Sequence, residues 1–299
     1  MSLRVLATIL VLFSIETARA APVEIGINQV RDRSTYMLDL MKVALIYTTD
    51  TQYNFVETDE RLSKNAEHEA ALAGKIGVFW GGTSEDQESD FIPVRVDGYR
   101  GLMSLRFFII REGDQPRFSA IRNIEDLRRI KLGQGRSWKD AEILEASGLT
   151  VERATKKEGL FYMLDGGRFD AFPRGATEAW SEADAHQELN LTVEKNLVVK
   201  YPLPTYFFVH KGHEKLARDI QYGLDRALED GTFDRFFYGN ERVKAFLSEA
   251  NLEDRRVIEI KNPFLPASAN IAEDGHNLSI EQLIEGARRL KAGEFSAES

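Results

Sequence analysis

Residues 73–85, with the sequence A-G-K-I-G-V-F-W-G-G-T-S-E, have a second copy at residues 166–178, G-G-R-F-D-A-F-P-R-G-A-T-E. Four of the thirteen aligned positions are identical, whereas roughly one identity is expected between unrelated windows of average composition. Each copy follows an amphipathic helix, passes a turn of glycine and a basic residue, continues as a short apolar strand and ends in small residues. The identical pairs are Gly74/Gly167, Phe79/Phe172, Gly82/Gly175 and Glu85/Glu178.

The repeat predicts two similar lobes with a small-molecule site between them. In open α/β sheets, ligands bind beyond the carboxyl ends of the strands. The two copies lie about ninety residues apart, so each lobe contributes one strand-end loop. A cleft between lobes is the usual place for a small ligand.

The first twenty residues are typical of an export signal. Arg4 supplies positive charge, residues 5–15 form an apolar run, and Ala18-Arg19-Ala20 fits a cleavage site. The run is short for a membrane span, and the alternative is a buried strand or short helix. No Cys follows the cleavage position, so a lipid anchor is not expected. We therefore expect a mature chain in the periplasm.

Composition limits the classes of function. The 299 residues carry a net charge of −9 and are 43% hydrophobic, which suits one large domain or two modest ones. An acidic chain is not expected to bind nucleic acid, which favours a basic face. The absence of Cys is compatible with an oxidising compartment.

Periodicity and chain breakers predict alternating strands and helices, the pattern of a parallel sheet flanked by helices. The strands are predicted at 23–29, 53–57, 75–80, 91–96, 103–111, 130–132, 150–154, 169–172 and 256–260, with two extended stretches in 196–210. The helices are predicted at 35–47, 61–72, 177–189, 214–229, 233–237 and 241–250, with others beginning after Asn123, Ser137, Thr155 and Ser279.

Two local signals complete this prediction. Gly133-Gln134-Gly135 is expected to break its strand, and Thr155 with Glu158 is expected to form a capping box. The expected division is a signal at 1–20, a first lobe at 21–109, a second lobe at 110–203 and a return to the first lobe at 204–299.

The order and spacing of four segments resemble a known family. They are G-K-I-G-V-F-W-G-G-T-S at 74–84, I-E-D-L-R-R-I-K-L-G-Q-G-R-S-W at 124–138, G-G-R-F-D-A-F at 166–172 and Y-F-F-V-H-K at 206–211. The chain resembles the family 3 periplasmic solute-binding proteins found with amino-acid uptake systems. The resemblance implies a type II fold of two α/β lobes, each with a mostly parallel sheet flanked by helices, joined by two crossings and closing as a hinge.

The same resemblance implies how the protein acts. It would bind a small molecule as a monomer, without cofactor, metal or catalysis. It would then deliver the ligand to a membrane permease of an ABC transporter or report it to a sensor kinase.

The chain lacks both of the residues with which this family usually holds the carboxylate and the α-amino group of an amino acid. The family usually has Arg three residues after the Thr that matches Thr83, where it clamps the ligand carboxylate, but Asp86 stands here. The family also usually has an Asp after the second-lobe strand to hold the α-amino group. The matching place lies near Gly175, preceded by Arg174. A small polar or anionic ligand other than an ordinary amino acid is therefore expected.

Arg174 is the strongest single candidate for ligand binding. It follows a strand, and its guanidinium suits a carboxylate or phosphate. The alternative is a salt bridge to Glu178, four residues on. A second group follows another strand, where backbone N–H groups at a helix start attract anions. It comprises Gly135, Arg136, Ser137 and Trp138; Ser137 is alternatively a helix cap and Trp138 a packed aromatic.

The first lobe offers a matching group of candidates. Trp80, Thr83 and Ser84 belong to the first copy of the repeat, and Tyr36 begins the first helix. Trp80 and Tyr36 are alternatively core residues. Tyr99 and Arg106 lie near the first crossing between lobes. The alternative for the charged side chain of Arg106 is a place on the solvated surface.

Other chemistries have weaker signals. His210 and His213 lack a third metal ligand nearby in sequence. Glu85 and Glu178 occupy equivalent positions and could perform acid–base work on the same scaffold, although helix starts also favour carboxylates. An enzyme and a ligand-free interaction module therefore stay open as alternatives to a binding protein.

Overall fold

The computed structural model describes residues 21–30, 35–269 and 276–295. The expected export signal at 1–20 lies outside the described residues. Within the described ranges, none of the helices has both the length and the hydropathy needed to cross a bilayer.

The described chain alternates strands and helices. The first elements are β1 Val23–Ile27, α1 Thr35–Leu45, β2 Tyr53–Glu57, α2 Lys64–Leu72, β3 Val78–Gly82, α3 Glu85–Asp90, β4 Ile92–Val94 and β5 Leu105–Arg111. They are followed by α4 Gln115–Ser119, α5 Ile124–Leu127, β6 Lys131–Gly135, α6 Lys139–Ala146, β7 Thr150–Ala154, α7 Lys157–Asp165, β8 Ala171–Gly175 and α8 Ala179–Asp184. The last are β9 Leu191–Val193, β10 Leu197–Lys200, β11 Thr205–Val209, α9 Glu214–Glu229, α10 Thr232–Gly239, α11 Glu241–Glu249, β12 Arg256–Glu259 and α12 Ile280–Lys291.

Each lobe is built on one layer of strands, which in the first lobe comprises two hydrogen-bonded sheets, β1–β2 and β3–β11–β4. In the first lobe β1 pairs with β2 in parallel, while β3 and β4 pair antiparallel with β11. The Gly77 N–H donates to the Gly26 carbonyl at 2.8 Å, which places β1 beside β3. The strand order in this lobe is therefore β2, β1, β3, β11, β4.

The sheet of the second lobe (the second sheet) repeats this order and extends it. Its strands lie in the order β7, β6, β8, β5, β10, β12, with β9 also on β5. Strands β6, β7 and β8 are parallel, and β5 runs antiparallel to β8. The α/β class is confirmed. Both strand layers are mixed because β5 and β11 enter from the crossings at 95–104 and 201–204 and run against the repeated strands.

The sequence repeat is also a structural repeat. Adding 93 to the bounds of α2 and β3 gives the bounds of α7 and β8. Gly74 and Gly167, at equivalent places after these helices, have φ of 72° and 69°. Only glycine adopts this left-handed conformation without strain, so the shared glycines end each helix and turn the chain into its strand.

Two local predictions are wrong for long-range reasons. Strand β6 continues through Gly135. A Cβ at Gly133 would lie 2.2 Å from the ring of Phe169, so this glycine makes room for the ring and does not break the strand. Helix α7 has Lys156 at its N-cap without a side-chain cap, so the box expected from Thr155 and Glu158 is not formed. The cap at Ser279 is confirmed and includes Gln282.

The last part of the chain departs from the expected division. Residues 204–299 were expected to belong wholly to the first lobe. Strand β12, however, pairs in parallel with β10 and extends the second sheet. The chain therefore passes from the first lobe to the second again after α10.

Candidate ligand site at the strand ends

The loops that follow β3 and β8 both adjoin the crossings between the lobes. The Thr83 N–H donates to the Pro204 carbonyl at 3.1 Å, in the second crossing. Gly175, at the end of β8, lies opposite Arg106 at the beginning of β5, just after the first crossing. The two copies of the repeat thus end at the junction of the lobes, one from each side.

Arg174 is buried in a cluster of carboxylates and aromatic rings. Its Nε donates to Glu182 Oε2 at 2.5 Å and its Nη2 lies 2.9 Å from Glu178 Oε1. The guanidinium lies 4.8 Å from the ring centre of Trp138 and 5.0 Å from that of Phe172. Burial alone would lower the pKa of Arg174, but Glu178 and Glu182 outweigh it and raise the pKa. The salt bridge to Glu178, the alternative from the sequence, is formed.

Arg106 is also buried and paired. Its Nε donates to Asp140 Oδ1 at 2.6 Å, and its guanidinium lies 4.9 Å from the ring centre of Tyr201. The Tyr201 hydroxyl donates to the same carboxylate oxygen at 2.5 Å. Burial would raise the pKa of Asp140, but the Arg106 charge opposes it and the pKa is lowered. Arg106 is therefore neither on a solvated surface nor available as an unpaired cation.

Arg106 and Arg174 project from opposite faces of the second sheet. The β5–β8 register pairs Phe107 with Arg174 and Arg106 with Gly175. Because successive side chains of a strand alternate between faces, Arg174 shares its face with Phe107 and Arg106 lies on the other. Asp140 and Glu178 nevertheless act electrostatically on both guanidinium groups, so the two arginines share one cluster of charges at the strand ends.

The turn between β6 and α6 contains the remaining second-lobe candidates. A Cβ at Gly135 would lie 2.4 Å from Trp138, so the indole covers the glycine and stacks on Phe172 at 6.2 Å between ring centres. Trp138, not Ser137, occupies the N-cap of α6, and no side chain caps it. Arg136 and Ser137 are exposed. Among the described residues, the Arg136 guanidinium has no ion-pair or hydrogen-bond partner.

The first-lobe candidates mainly support their own loop. Thr83 is buried and its hydroxyl donates to Glu88 at 2.7 Å. The Ser84 hydroxyl accepts from the Gln87 N–H and so caps α3. Trp80 is half-buried, with its ring 6.2 Å from that of Phe207. Of these three side chains, Trp80 and Ser84 are half-buried and Thr83 is fully buried.

Tyr36 and Tyr99 meet at the junction of the lobes. Tyr36 is buried, donates its hydroxyl to the Gly98 carbonyl at 2.9 Å and stacks on Tyr99 with ring centres 4.6 Å apart. Burial raises the pKa of Tyr99, the Glu178 carboxylate adds to the rise and the Arg242 guanidinium opposes it. The Glu178 carboxylate of the second lobe and the Arg242 guanidinium of α11 therefore both act electrostatically on the half-buried Tyr99.

Arg242 is a candidate that the sequence did not indicate. It is half-buried in the first turn of α11, which Asn240 caps. Within the described part of the chain its guanidinium has no ion pair or hydrogen bond. The sequence alone does not indicate Arg242, because it belongs to no motif and its effect on Tyr99 depends on how the C-terminal helices pack.

Other potential sites lie elsewhere. In the described ranges, no group of three or more His, Asp or Glu side chains could hold a metal ion. A cavity of about 730 Å³ lies between the end of α1, residues 46–52 and β2, and its lining includes none of the residues that follow β3 or β8. The charged side chains on its wall (Lys42, Asp50 and Glu57) are exposed, so it is not a preorganised polar site.

Comparison with known proteins places this geometry in a structural class. No family model and no curated protein matches the sequence. Among solved structures, a probable amino-acid ABC transporter extracellular-binding protein from Bacillus subtilis superposes with a TM-score of 0.54 at 15% identity, covering 72% of this chain and 96% of that one. An ancestral arginine-binding protein bound to arginine gives 0.51 at 16% identity, covering 74% and 98%.

A third neighbour belongs to the same class. A structure concerned with glutathione import and the cystine ABC importer of Streptococcus mutans gives a TM-score of 0.52 at 11% identity, covering 72% of this chain and 93% of that one. The chain therefore has the two-lobed type II fold of periplasmic binding proteins. Its structural neighbours include a probable amino-acid ABC transporter binding protein and an arginine-binding protein, in agreement with the sequence resemblance. About a quarter of the chain lies outside each of these superpositions.

Proposed function

We propose that the protein is an exported solute-binding protein that takes a small polar or anionic molecule at the junction of its lobes. It would pass the molecule to a membrane permease or report it to a sensor kinase. The observation that supports this proposal most is the duplicated helix–strand unit whose two loops end at the crossings. The ABC-transporter binding proteins that share the fold are consistent with it.

The cations proposed to contact an anionic ligand differ from those expected from the sequence. Because Arg174 and Arg106 are already neutralised, an anionic ligand would need another cation. Arg136 and Arg242 are the candidates, since neither has a partner among the described side chains. Tyr99 and Trp80 would supply half-buried aromatic surface, while Tyr36, Thr83, Ser84, Gly135, Ser137 and Trp138 would shape the walls.

A thermal-shift screen of small metabolites on the mature chain tests this function. We expect at least one anionic compound to raise the melting temperature without being turned over. The Arg242→Ala variant should lose the shift and keep the melting temperature of the unliganded protein, because its guanidinium has no partner to lose. The matched control is Arg235→Ala, an exposed arginine on α10, which should keep the full shift.

Three results would argue against the proposal. A full-strength shift in a variant lacking both Arg136 and Arg242 would remove these residues from the site. Conversion of the ligand to product would favour the enzyme alternative, with Glu178 as the first group to test. No response to any metabolite, together with a stable protein partner, would favour the interaction module.

A further inference from the structure

Helices α10 and α11 form an apolar bridge between the lobes. Phe236 in α10 lies 5.0 Å from Tyr36 of the first lobe, measured between ring centres. Phe246 in α11 lies 5.4 Å from Phe107 and 5.8 Å from Trp180, both in the second lobe. One helix pair therefore packs against both lobes.

The chain after α11 is attached firmly to the second lobe. Arg255 is buried and donates to the carbonyls of Ala250, Glu194 and Leu197 at 2.5, 2.6 and 2.9 Å. Its guanidinium lies 4.9 Å from the ring centre of Phe107. Burial lowers the pKa of Arg255 to about 10, although Glu194 opposes the shift, so the charge is held in a largely dry setting. Strand β12 follows directly and extends the sheet.

The chain then returns across the junction to the first lobe. Asn262 donates from its side chain to the Pro202 carbonyl at 2.8 Å, in the second crossing. Ser268 donates to Glu88 Oε2 at 2.6 Å, and the other oxygen of Glu88 accepts from Thr83. The segment thus reaches the loop that follows β3.

The beginning of α12 is held at the first crossing. Arg100 donates from Nε to the His276 carbonyl at 2.6 Å, and the Leu278 N–H donates to the Arg100 carbonyl at 2.9 Å. Arg100 also forms an ion pair with Asp234 of α10. Both crossings are therefore braced by the C-terminal part of the chain.

The apolar core is continuous through this bridge. One cluster of buried side chains includes Met37 of the first lobe, Phe237 and Phe246 of the bridge, and Phe107 and Phe172 of the second lobe. Close-packed cores do not deform continuously, and hinge closure requires the lobes to rotate about a few flexible residues. Rotation here would separate packed aromatic rings.

We propose that helices α10 and α11, together with the described residues 250–269 and 276–295, act as a splint that holds the two lobes at a fixed angle. The protein would then take its ligand without the hinge closure that the sequence resemblance implies. The fixed angle between the lobes does not depend on the proposed function, whereas ligand binding without closure rests on it.

Distance measurement between spin labels on the two lobes tests the splint. Because the chain contains no Cys, Leu72→Cys in α2 and Tyr162→Cys in α7 create a unique labelled pair at exposed positions. We expect one narrow distance distribution in the otherwise intact chain. Phe246→Ala should broaden it toward other distances, whereas Ser248→Ala, an exposed change on the same helix, should not.

A second variant covers the case in which Phe246→Ala fails to fold. Asn262→Ala combined with Ser268→Ala removes the two polar contacts of the returning chain and should also broaden the distribution. A broad or two-peaked distribution in the intact chain would overturn the proposal. A narrow distribution in every folded variant would overturn it as well, because something other than this segment would then fix the angle.

Discussion

At the scale of single residues, buried ion pairs explain why the most conspicuous arginines are not free ligand contacts. The salt bridge from Arg174 to Glu178 was predictable, because only the short turn from β8 to α8 separates the two residues. The stronger partner, Glu182, was not predictable. It lies eight residues from Arg174, and its position depends on how α8 packs against β8.

We predict that Arg174→Ala lowers the free energy of unfolding by about 3 kcal/mol, because it leaves the buried Glu182 carboxylate with only Lys157 as a cationic partner among the described residues. Urea denaturation at pH 7 measures the change. Arg168→Ala is the control, since Arg168 is exposed and should change stability by less than about 0.5 kcal/mol. Equal stability of the two variants would contradict the buried cluster.

The pH dependence of this difference provides a second readout. Burial alone would raise the pKa of Glu182, but Arg174 and Lys157 reverse the shift and lower it. A carboxylate with a lowered folded pKa stabilises the fold above its unfolded pKa, and this contribution is lost as the pH falls through the folded value. The gap between wild type and Arg174→Ala should therefore shrink below about pH 4.5. A constant gap down to pH 3 would indicate another origin.

At the scale of elements, locally encoded features were predictable and features set by distant contacts were not. Strands β2 and β7 and helix α9 have the bounds expected from periodicity, because each has a clear apolar pattern ended by a polar or glycine residue. Strand β6 was predicted too short. The ring that requires Gly133 belongs to Phe169, which local sequence does not reveal.

We predict that Gly133→Ala destabilises the protein by about 1–3 kcal/mol, because the new methyl group overlaps the Phe169 ring. Thermal or urea unfolding measures the effect. Gly159→Ala in α7 is the matched control, since no atom lies within 4 Å of the added Cβ, and alanine favours the helix by about 0.5–1 kcal/mol. The same sign of change in both variants would argue against this packing.

At the scale of the whole molecule, the repeat predicted the two lobes but not the bracing between them. Residues 73–85 and 166–178 share enough residues to imply two copies of one unit, and their helices and strands agree in every bound. The pattern at 256–260 indicated a strand without specifying its neighbour. Its pairing with β10 could not be predicted, because the sequence does not show which edge strand of the second sheet lacks a neighbour.

Two strand-end loops, one from each lobe, are proposed to bind one solute between them. Hydrogen–deuterium exchange with and without a compound from the thermal-shift screen measures this most directly. We predict that the compound slows exchange both at residues 81–84 and at residues 135–138 or 176–178. Protection in one lobe only, or at the cavity beside β2, would contradict a shared site at the junction of the lobes.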